Sequence, residues 1–246
     1  MDGFLLIDKP TGLTSHDVVA KVRRILRQSG SRQFLVDSKK LSTNNSQLTT
    51  RAPKVRVGHT GTLDPLASGL LILVLGSYTK RAGEFSKLDK TYEVELTLGF
   101  TSKTGDSEGP ITAKSNKQIA KNKVEKVLES FVGEILQTPH AHSAVKVSGQ
   151  RAYKLARAGK KPELKPRQVI VHRLQVTDYK YPKLRFVTEV SSGTYIRSLA
   201  VDIGEKLSTG AYVSALRRTK VNGFDIKDAI KLENLNLAGT EKNLQK

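Results

Sequence analysis

Gly58-His59-Thr60-Gly61-Thr62-Leu63-Asp64-Pro65-Leu66-Ala67-Ser68-Gly69 runs straight into Leu70-Leu71-Ile72-Leu73-Val74-Leu75 and stops at Gly76. Gly58, Gly61 and Gly69 let the backbone turn and approach a ligand closely. His59 offers a stacking ring with two nitrogens. Asp64 is a lone carboxylate in an otherwise uncharged run, and Pro65 restricts it to extended backbone, so its side chain leaves the loop in one direction. The apolar run bounded by glycines predicts a buried strand that anchors the loop. Taken by itself, the spacing fits a Gly-rich turn with Asp64 as a turn residue. The rest of the chain moves the reading toward chemistry.

Charge is the strongest compositional signal. The 246 residues carry 42 Lys and Arg against 23 Asp and Glu, a net +19, with a pI near 10.0. Such an excess points to a polyanionic partner, nucleic acid first. With 37% hydrophobic and 26% charged residues, the chain reads as a soluble globular protein. It contains no apolar run of about eighteen residues and no basic amphipathic helix with a broad apolar face, so no membrane association is expected. The start, MDGFLLIDKP, lacks the basic n-region and long h-region of a secretion signal. Zero Cys excludes disulfides and thiolate metal sites and fits a cytoplasmic location.

Outward from the central loop, residues 3–8 predict a short buried strand, and Lys9-Pro10-Thr11-Gly12 is turn chemistry. Ser15 is expected to cap a helix with Asp17 in its first turn. Val18, Val19, Val22, Ile25 and Leu26 at helical spacing give that helix roughly three turns. Residues 27–54 are polar and aperiodic, with Arg27, Arg32, Lys39, Lys40, Arg51 and Lys54 against Asp37; they predict a long, basic, mobile loop. Thr91 to Gly99 alternates Tyr92, Val94, Leu96 and Leu98 against Glu93, Glu95 and Thr97, a half-buried strand. Tyr92 then either fills the core or faces a cleft. Residues 101–110 form a polar loop in which Asp106 is the candidate and Glu108 a solvated turn residue.

Ser115 with Gln118 suggests a capping box for a helix from Ser115 to Val132. From Lys146 to Arg173 the chain is basic almost throughout, with Glu163 its one acid, which suits phosphate contacts. His140 and His142 lack a third ligand nearby, so no metal is expected. Two further strands are predicted at 168–176 and 184–190. Then Ser191-Ser192-Gly193-Thr194-Tyr195-Ile196-Arg197 places Tyr195 and Arg197 at i and i+2 before a helix that Gly210 ends. Ala211 to Lys220 gives a basic tip on an apolar segment, and the tail after Gly223 reads as a loosely packed extension.

GFLLIDKPTGLTSHDVV, GHTGTLDPLASGLL, KTYEVELTLGFTSKTGDSEG, SSGTYIRSLAVDIG and YVSALRRTKVNGF occur in that order. Together they resemble the TruB-type tRNA pseudouridine synthases over most of residues 3–225. The resemblance implies an α+β pseudouridine synthase fold, a long, mostly antiparallel mixed sheet with flanking helices and a basic thumb-like insertion at 138–166. It implies isomerisation of uridine 55 in the T-loop of tRNA by an enzyme that needs no cofactor and no metal, acting as a monomer on the T-stem-loop without an obligate protein partner. By motif, Asp64 is the catalytic aspartate. Tyr92 stacks on the flipped uracil, and Arg197 pairs with Asp64. His59 holds the T-loop, Tyr195 lines the pocket, Asp106 sits at the cleft edge and Leu216 packs beneath the base. Lys80, in Thr79-Lys80-Arg81, joins the substrate-binding set. Two departures stand out. The tail at 226–246 is too short for the PUA RNA-binding domain that family members often carry, and the insertion at 27–54 is longer than the common bacterial form.

The chemistry explains the residue types. Pseudouridine forms when the N1–C1′ bond of uridine breaks and a C5–C1′ bond replaces it. A carboxylate serves as nucleophile or proton acceptor, a neighbouring guanidinium keeps it ionised, and aromatic platforms offset part of the unstacking cost of a few kcal/mol. Three rivals are weaker. Gly58-His59-Thr60-Gly61 is a lone GxxG without the basic residues of a KH clamp. Asp64 and Asp106 as a glycosidase pair do not explain the charge. No P-loop motif occurs.

Overall fold

The computed structural model describes residues 1–38, 56–141, 143, 145–147 and 149–246. Its contacts divide the chain into two units: residues 1–86 with 224–246, and residues 87–223.

In the first unit Gly3–Lys9 is a strand (β1), as its apolar run predicts. Ser15–Ser38 is a helix (α1) that buries Val18, Val19, Val22 and Leu26 along one stripe. Its cap lies one residue earlier than expected. Thr14 Oγ1 accepts from the Asp17 amide at 3.1 Å, and Asp17 Oδ2 accepts from the Thr14 amide at 2.8 Å, a reciprocal box. The hydrogen bonds from Thr14 hold the Asp17 carboxyl below the usual carboxylate range. The helix also runs on to Ser38, so the first part of the predicted loop at 27–54 is helical; the remainder, from residue 39, lies outside the described residues. Val57–Thr60 (β2) and Ser68–Leu75 (β3) pair antiparallel, with Thr60 opposite Ile72. β3 pairs antiparallel with β1 along its whole length. Leu70 to Leu75 are each fully buried, the continuous apolar run of a strand covered on both faces. A 3₁₀ turn at Gly76–Arg81 and a short helix, Ala82–Ser86 (α2), close this part.

The second unit begins with Lys90–Leu98 (β4). Lys90, Tyr92, Val94, Leu96 and Leu98 are buried and Glu93 is exposed, the alternation expected. A small hairpin, Phe100–Ser102 (β5) with Ile111–Ala113 (β6), follows. The next helix is shorter than predicted. It spans Lys121–Glu129 (α3) after Ala120, and Ser115 Oγ accepts from the Lys117 amide at 3.2 Å in a local turn instead of capping it. Then come Gly133–Gln137 (β7), the two-residue strands Lys146–Val147 (β8) and Gln150–Arg151 (β9), and Ala152–Arg157 (α4). Lys146, Arg151, Lys154, Arg157, Lys160, Lys161 and Lys165 are exposed here, so the basic segment presents its charge to solvent.

Arg167–Lys180 (β10), Lys183–Val190 (β11), Ile196–Lys206 (α5) and Ala211–Val221 (β12) complete the unit. Its strands lie in the order β12-β4-β11-β10-β7, every pairing antiparallel. The expected basic tip at Ala211 to Lys220 is therefore a sheet strand, with Arg218 1% exposed. On the polar face Glu95 staples three strands. Its carboxylate accepts from Lys183 Nζ at 2.7 Å, Ser214 Oγ at 2.8 Å and Arg185 Nε at 2.9 Å. These bonds, Lys183 first, outweigh burial and hold it at about 2.

The C-terminal segment belongs to the first unit and is packed, contrary to the loose tail expected. After Phe224–Asp225 (β13), Ile230–Lys231 (β14) pairs parallel with β1. Leu232 and Leu235 are buried. Asn236 Oδ1 caps Leu237–Lys242 (α6) by accepting from the Gly239 amide at 2.8 Å. Phe4 and Gln245 exchange two backbone bonds of 2.9 Å. Among the described residues, no helix is long and apolar enough to cross a membrane.

Burial, and secondarily the Glu205 charge, push the Asp202 carboxyl on α5 up to about 6. The folded value lies above the unfolded one, so the folded state holds the proton more tightly between them. Stability is therefore lost as pH rises through about 6 and regained below about 4. Asp202→Asn is expected to raise the melting temperature near neutral pH and to lose that advantage near pH 4. Thermal melts at both pH values decide; an equal shift at both would refute the assignment.

Candidate active site

In the first unit the central loop joins β2 to β3. Gly61 and Gly69 sit at φ of +67° and +104°, the left-handed region that admits glycine freely; Gly58 lies within β2, opposite Val74. The segment between is tied to the connection from β1 to α1 on both sides of Asp64. Ser15 Oγ, on a residue 1% exposed, donates to the Leu63 carbonyl at 3.0 Å and accepts from the Leu63 amide at 2.9 Å. The Gly12 amide donates to the Pro65 carbonyl at 2.8 Å, and the Ala67 amide to the Asp64 carbonyl at 3.0 Å. The connection is itself drawn tight by the fully buried Lys9, whose Nζ donates to the carbonyls of Pro10 at 2.9 Å and Leu13 at 2.7 Å. These bonds fix the backbone from Leu63 to Ala67 and so the direction of the half-buried Asp64 side chain. His59 is on β2, and its ring meets that of His16 edge-on at 5.2 Å. Lys80 lies exposed in the 3₁₀ turn after β3.

In the second unit Tyr92 lies on β4, opposite Thr188 of β11 and Arg218 of β12, and is 8% exposed. Leu216, also 8% exposed, stands opposite Val94, so the strand alternation puts both on the face of Tyr92. Lys90 shares it; burial first, then the Arg218 charge, depress its ammonium to about 8.

Arg197 opens α5 with its side chain 8% exposed and donates through Nη1 to Asp106 Oδ2 at 2.9 Å and to the Thr104 carbonyl at 3.2 Å. Asp106, which the motif reading set at the cleft edge, is 0% exposed. Its Oδ1 accepts from Thr104 Oγ1 at 2.5 Å and from the Glu108 amide at 3.1 Å. A buried carboxylate with three donors is a fixed holder of the guanidinium, which leaves the glycosidase pairing of Asp64 with Asp106 without an accessible second acid. Tyr195 precedes α5. Its backbone is gripped by Gln137, and its ring lies edge-on to His140 at 5.5 Å and under the Arg167 guanidinium at 4.8 Å.

The structure thus brings Tyr92 and Leu216 to one strand face, Arg197 to Asp106, and Tyr195 to the first turn of α5. Asp64, His59 and Lys80 belong to the other unit and are described within it. Sequence reasoning missed Ser15, Lys9 and Gly12 as supports of the loop, Thr104 as a partner of Asp106, and Gln137. The TSHD and GDS stretches carrying Ser15 and Asp106 are polar clusters beside apolar runs, and that signal alone marks turns as well as sites. His142 lies outside the described residues. Among the described residues no cluster of His, Cys, Asp and Glu has metal-site geometry.

Comparison with known proteins gives this arrangement its context. Residues 48–196 match the model of the TruB family pseudouridylate synthase N-terminal domain. Residues 197–245 match the tRNA pseudouridylate synthase B C-terminal domain. The chain is 39% identical over 235 residues to the tRNA pseudouridine synthase B of Aquifex aeolicus, covering 95% of this chain and 73% of that one. It is 37% identical over 239 residues to the namesake of Endomicrobium trichonymphae, covering 97% and 93%. Among solved structures, a chain from the "Crystal Structure of a Cbf5-Nop10-Gar1 Complex" superposes with a TM-score of 0.66 at 29% identity. That match covers 95% of this chain and 53% of the other, so this chain spans about half of it.

Two variants test the geometry. Ser15→Ala leaves both backbone groups of Leu63 buried without their partner, and is expected to lower unfolding free energy by about 1–3 kcal/mol in urea titrations. Asp106→Ala strands a buried guanidinium and is expected to cost about 3–5 kcal/mol by the same measurement; a near-neutral result would mean that water already solvates Arg197.

Proposed function

The chain belongs to the TruB family of pseudouridylate synthases, and from that premise we propose that it isomerises uridine to pseudouridine at position 55 in the T-loop of tRNA. The observation that carries the proposal is the aim of Asp64. It is the one carboxylate of GHTGTLDPLASG, half-buried on a backbone tied down at residue 63 and residue 65. A single acid can serve as nucleophile or proton acceptor only if its position is set before the substrate arrives.

The target base leaves its stack, because its reacting atoms are hidden in a folded loop. Tyr92 stacks on the extruded uracil, with Leu216 beneath it. Tyr195 lines the pocket, and Arg197, locked by Asp106, is the cation of the site. His59 fills the gap in the T-loop, and Lys80 holds its backbone. Residues 1–225 are the catalytic domain, and the basic surface of 138–166 grips the T-stem through phosphates, which set position and affinity without reading sequence. The enzyme works as a cytoplasmic monomer with no cofactor. Asp64 acts as nucleophile or proton acceptor; the N1–C1′ bond breaks, the freed uracil turns while it is held between its platforms, C5 bonds to C1′ and gives up its proton, and N1 ends with one.

Chemical mapping of pseudouridine in unmodified tRNA after incubation with the purified protein tests this. The parent protein is expected to modify position 55, and Asp64→Asn to form no product while it binds tRNA as before. Product from Asp64→Asn, or modification confined to another position, would overturn the assignment.

A further inference from the structure

The pairing of β7 with β10 ends on one rung, Gln137 opposite Arg167, and the basic segment 138–166 leaves and rejoins the sheet across it. Both residues of the rung reach Tyr195. Gln137, 0% exposed, makes a two-bond clip on its backbone: Oε1 accepts from the Tyr195 amide at 2.8 Å and Nε2 donates to the Tyr195 carbonyl at 3.1 Å. Arg167 lies over the Tyr195 ring and donates to the Gly193 carbonyl. The next residue, Thr138, accepts at its carbonyl from Ser198 Oγ at 2.9 Å. The root of the segment therefore holds the residue before α5 and the first turn of α5 together.

The residue type is the one this contact demands. To answer both the N–H and the C=O of one residue, a side chain must both accept and donate; a carboxamide does so with two atoms side by side, where the Ser15 hydroxyl does so for Leu63 with one. The strand is turned to supply it: Leu136 is 76% exposed while Gln137 is fully buried. Burying an amide in place of a leucine is costly unless its bonds are made. Ile135 shares the inward face and Glu134 the outward one, and the two bonds to Tyr195 satisfy the amide that ends the strand.

We propose that Gln137 is a positioning residue for the reaction, acting through the backbone of Tyr195 to hold Tyr195 and Arg197 in register with the segment that grips RNA. The inference rests on the pseudouridine synthase reading above. Gln137 touches no substrate in this role; it fixes the approach of two residues that do.

The test compares parent, Gln137→Leu and Gln137→Glu by single-turnover pseudouridine formation, tRNA Kd and melting temperature. Gln137→Leu removes both bonds. Gln137→Glu keeps an acceptor for the Tyr195 amide but sets a carboxylate oxygen against the Tyr195 carbonyl. Both are expected to slow the single-turnover rate by about 10- to 100-fold, the cost of a displacement on the order of 1 Å, with tRNA Kd unchanged. Should Gln137→Leu fail to fold, Gln137→Glu decides alone. Variants as fast as the parent, or rates that fall only in step with Kd, overturn the inference. The same assay separates the two readings: a parent that makes no pseudouridine sinks the function and this role together, whereas an active parent with equally active variants sinks this role alone.

Discussion

Ser15 Oγ answers both backbone groups of Leu63, and the Gly12 amide answers the carbonyl of Pro65. Between these ties sits Asp64. Its side chain has two rotatable bonds, so once the backbone on either side is fixed, few directions remain for the carboxylate. The two Ser15 bonds are made in a buried setting, where a hydrogen bond is stronger than in water and its loss leaves a polar group stranded. They also need a precise entry into α1. The Thr14–Asp17 box caps the helix from the residue before Ser15, which leaves the Ser15 hydroxyl for the loop instead of the cap. Lys9, holding the carbonyls of Pro10 and Leu13 from inside, keeps the donor strand of this arrangement taut. The apolar run of β3 anchors the other end of the loop, so the carboxylate is aimed by two elements rather than by its own turn.

The Arg197–Asp106 pair follows a different logic. Taking two charges out of water costs several kcal/mol per ion, and a single pair rarely returns more than that. Stability is therefore a poor reason for this pair to exist. Oδ1 of Asp106, the oxygen the pair leaves, accepts from Thr104 Oγ1 and the Glu108 amide. The turn carrying it is bound to β12 through the Val213 amide and the Gly105 carbonyl at 3.0 Å. The result is a guanidinium whose place is set by a sheet strand. On the proposed function, a planar, permanently charged group so held supplies a fixed positive charge to a reacting nucleoside.

Much of this was legible in the sequence and part was not, for identifiable reasons. Alternation gave β4 with Tyr92 facing inward, and the six apolar residues of 70–75 gave β3. Gly61 and Gly69 took positive φ where the loop turns, while Gly58 lies within β2. Boundaries failed where a local polar residue had two uses. Ser15 looked like a cap and is a tertiary tie, with Thr14 capping instead. Ser115 looked like a cap and is a turn. The segment from Ala211 to Lys220 was misjudged because Arg218 is inside, and a charge in a strand reads as a surface. The tail was misjudged because its order comes from pairing with β1, a contact far apart in sequence that no local pattern announces. Asp106 was a candidate in the sequence, and the fold adds its bond to Arg197. Motif spacing reports that an acid matters, and only the fold shows that it is occupied with Arg197.

Gln137 marks the limit of pattern reading. Within GEILQ, Ile135 shares a face with Gln137 and Glu134 with Leu136, so alternation alone does not choose the inward face. The burial of the amide makes sense once its destination is known. A net charge of +19 draws any polyanion, and exposed charges act through a screened field that fades within about 10 Å at moderate salt. Attraction of that kind brings RNA to the surface without deciding which nucleotide enters a pocket. Choosing one requires that the gripping segment and the reacting groups keep a constant distance, which charge cannot enforce and stiff short bonds can. The rung of Gln137 and Arg167 provides those bonds at the point where the basic segment leaves the sheet. On the reading proposed above, affinity and registration are carried by different residues: lysines and arginines in solvent for the first, one buried carboxamide and its neighbours for the second.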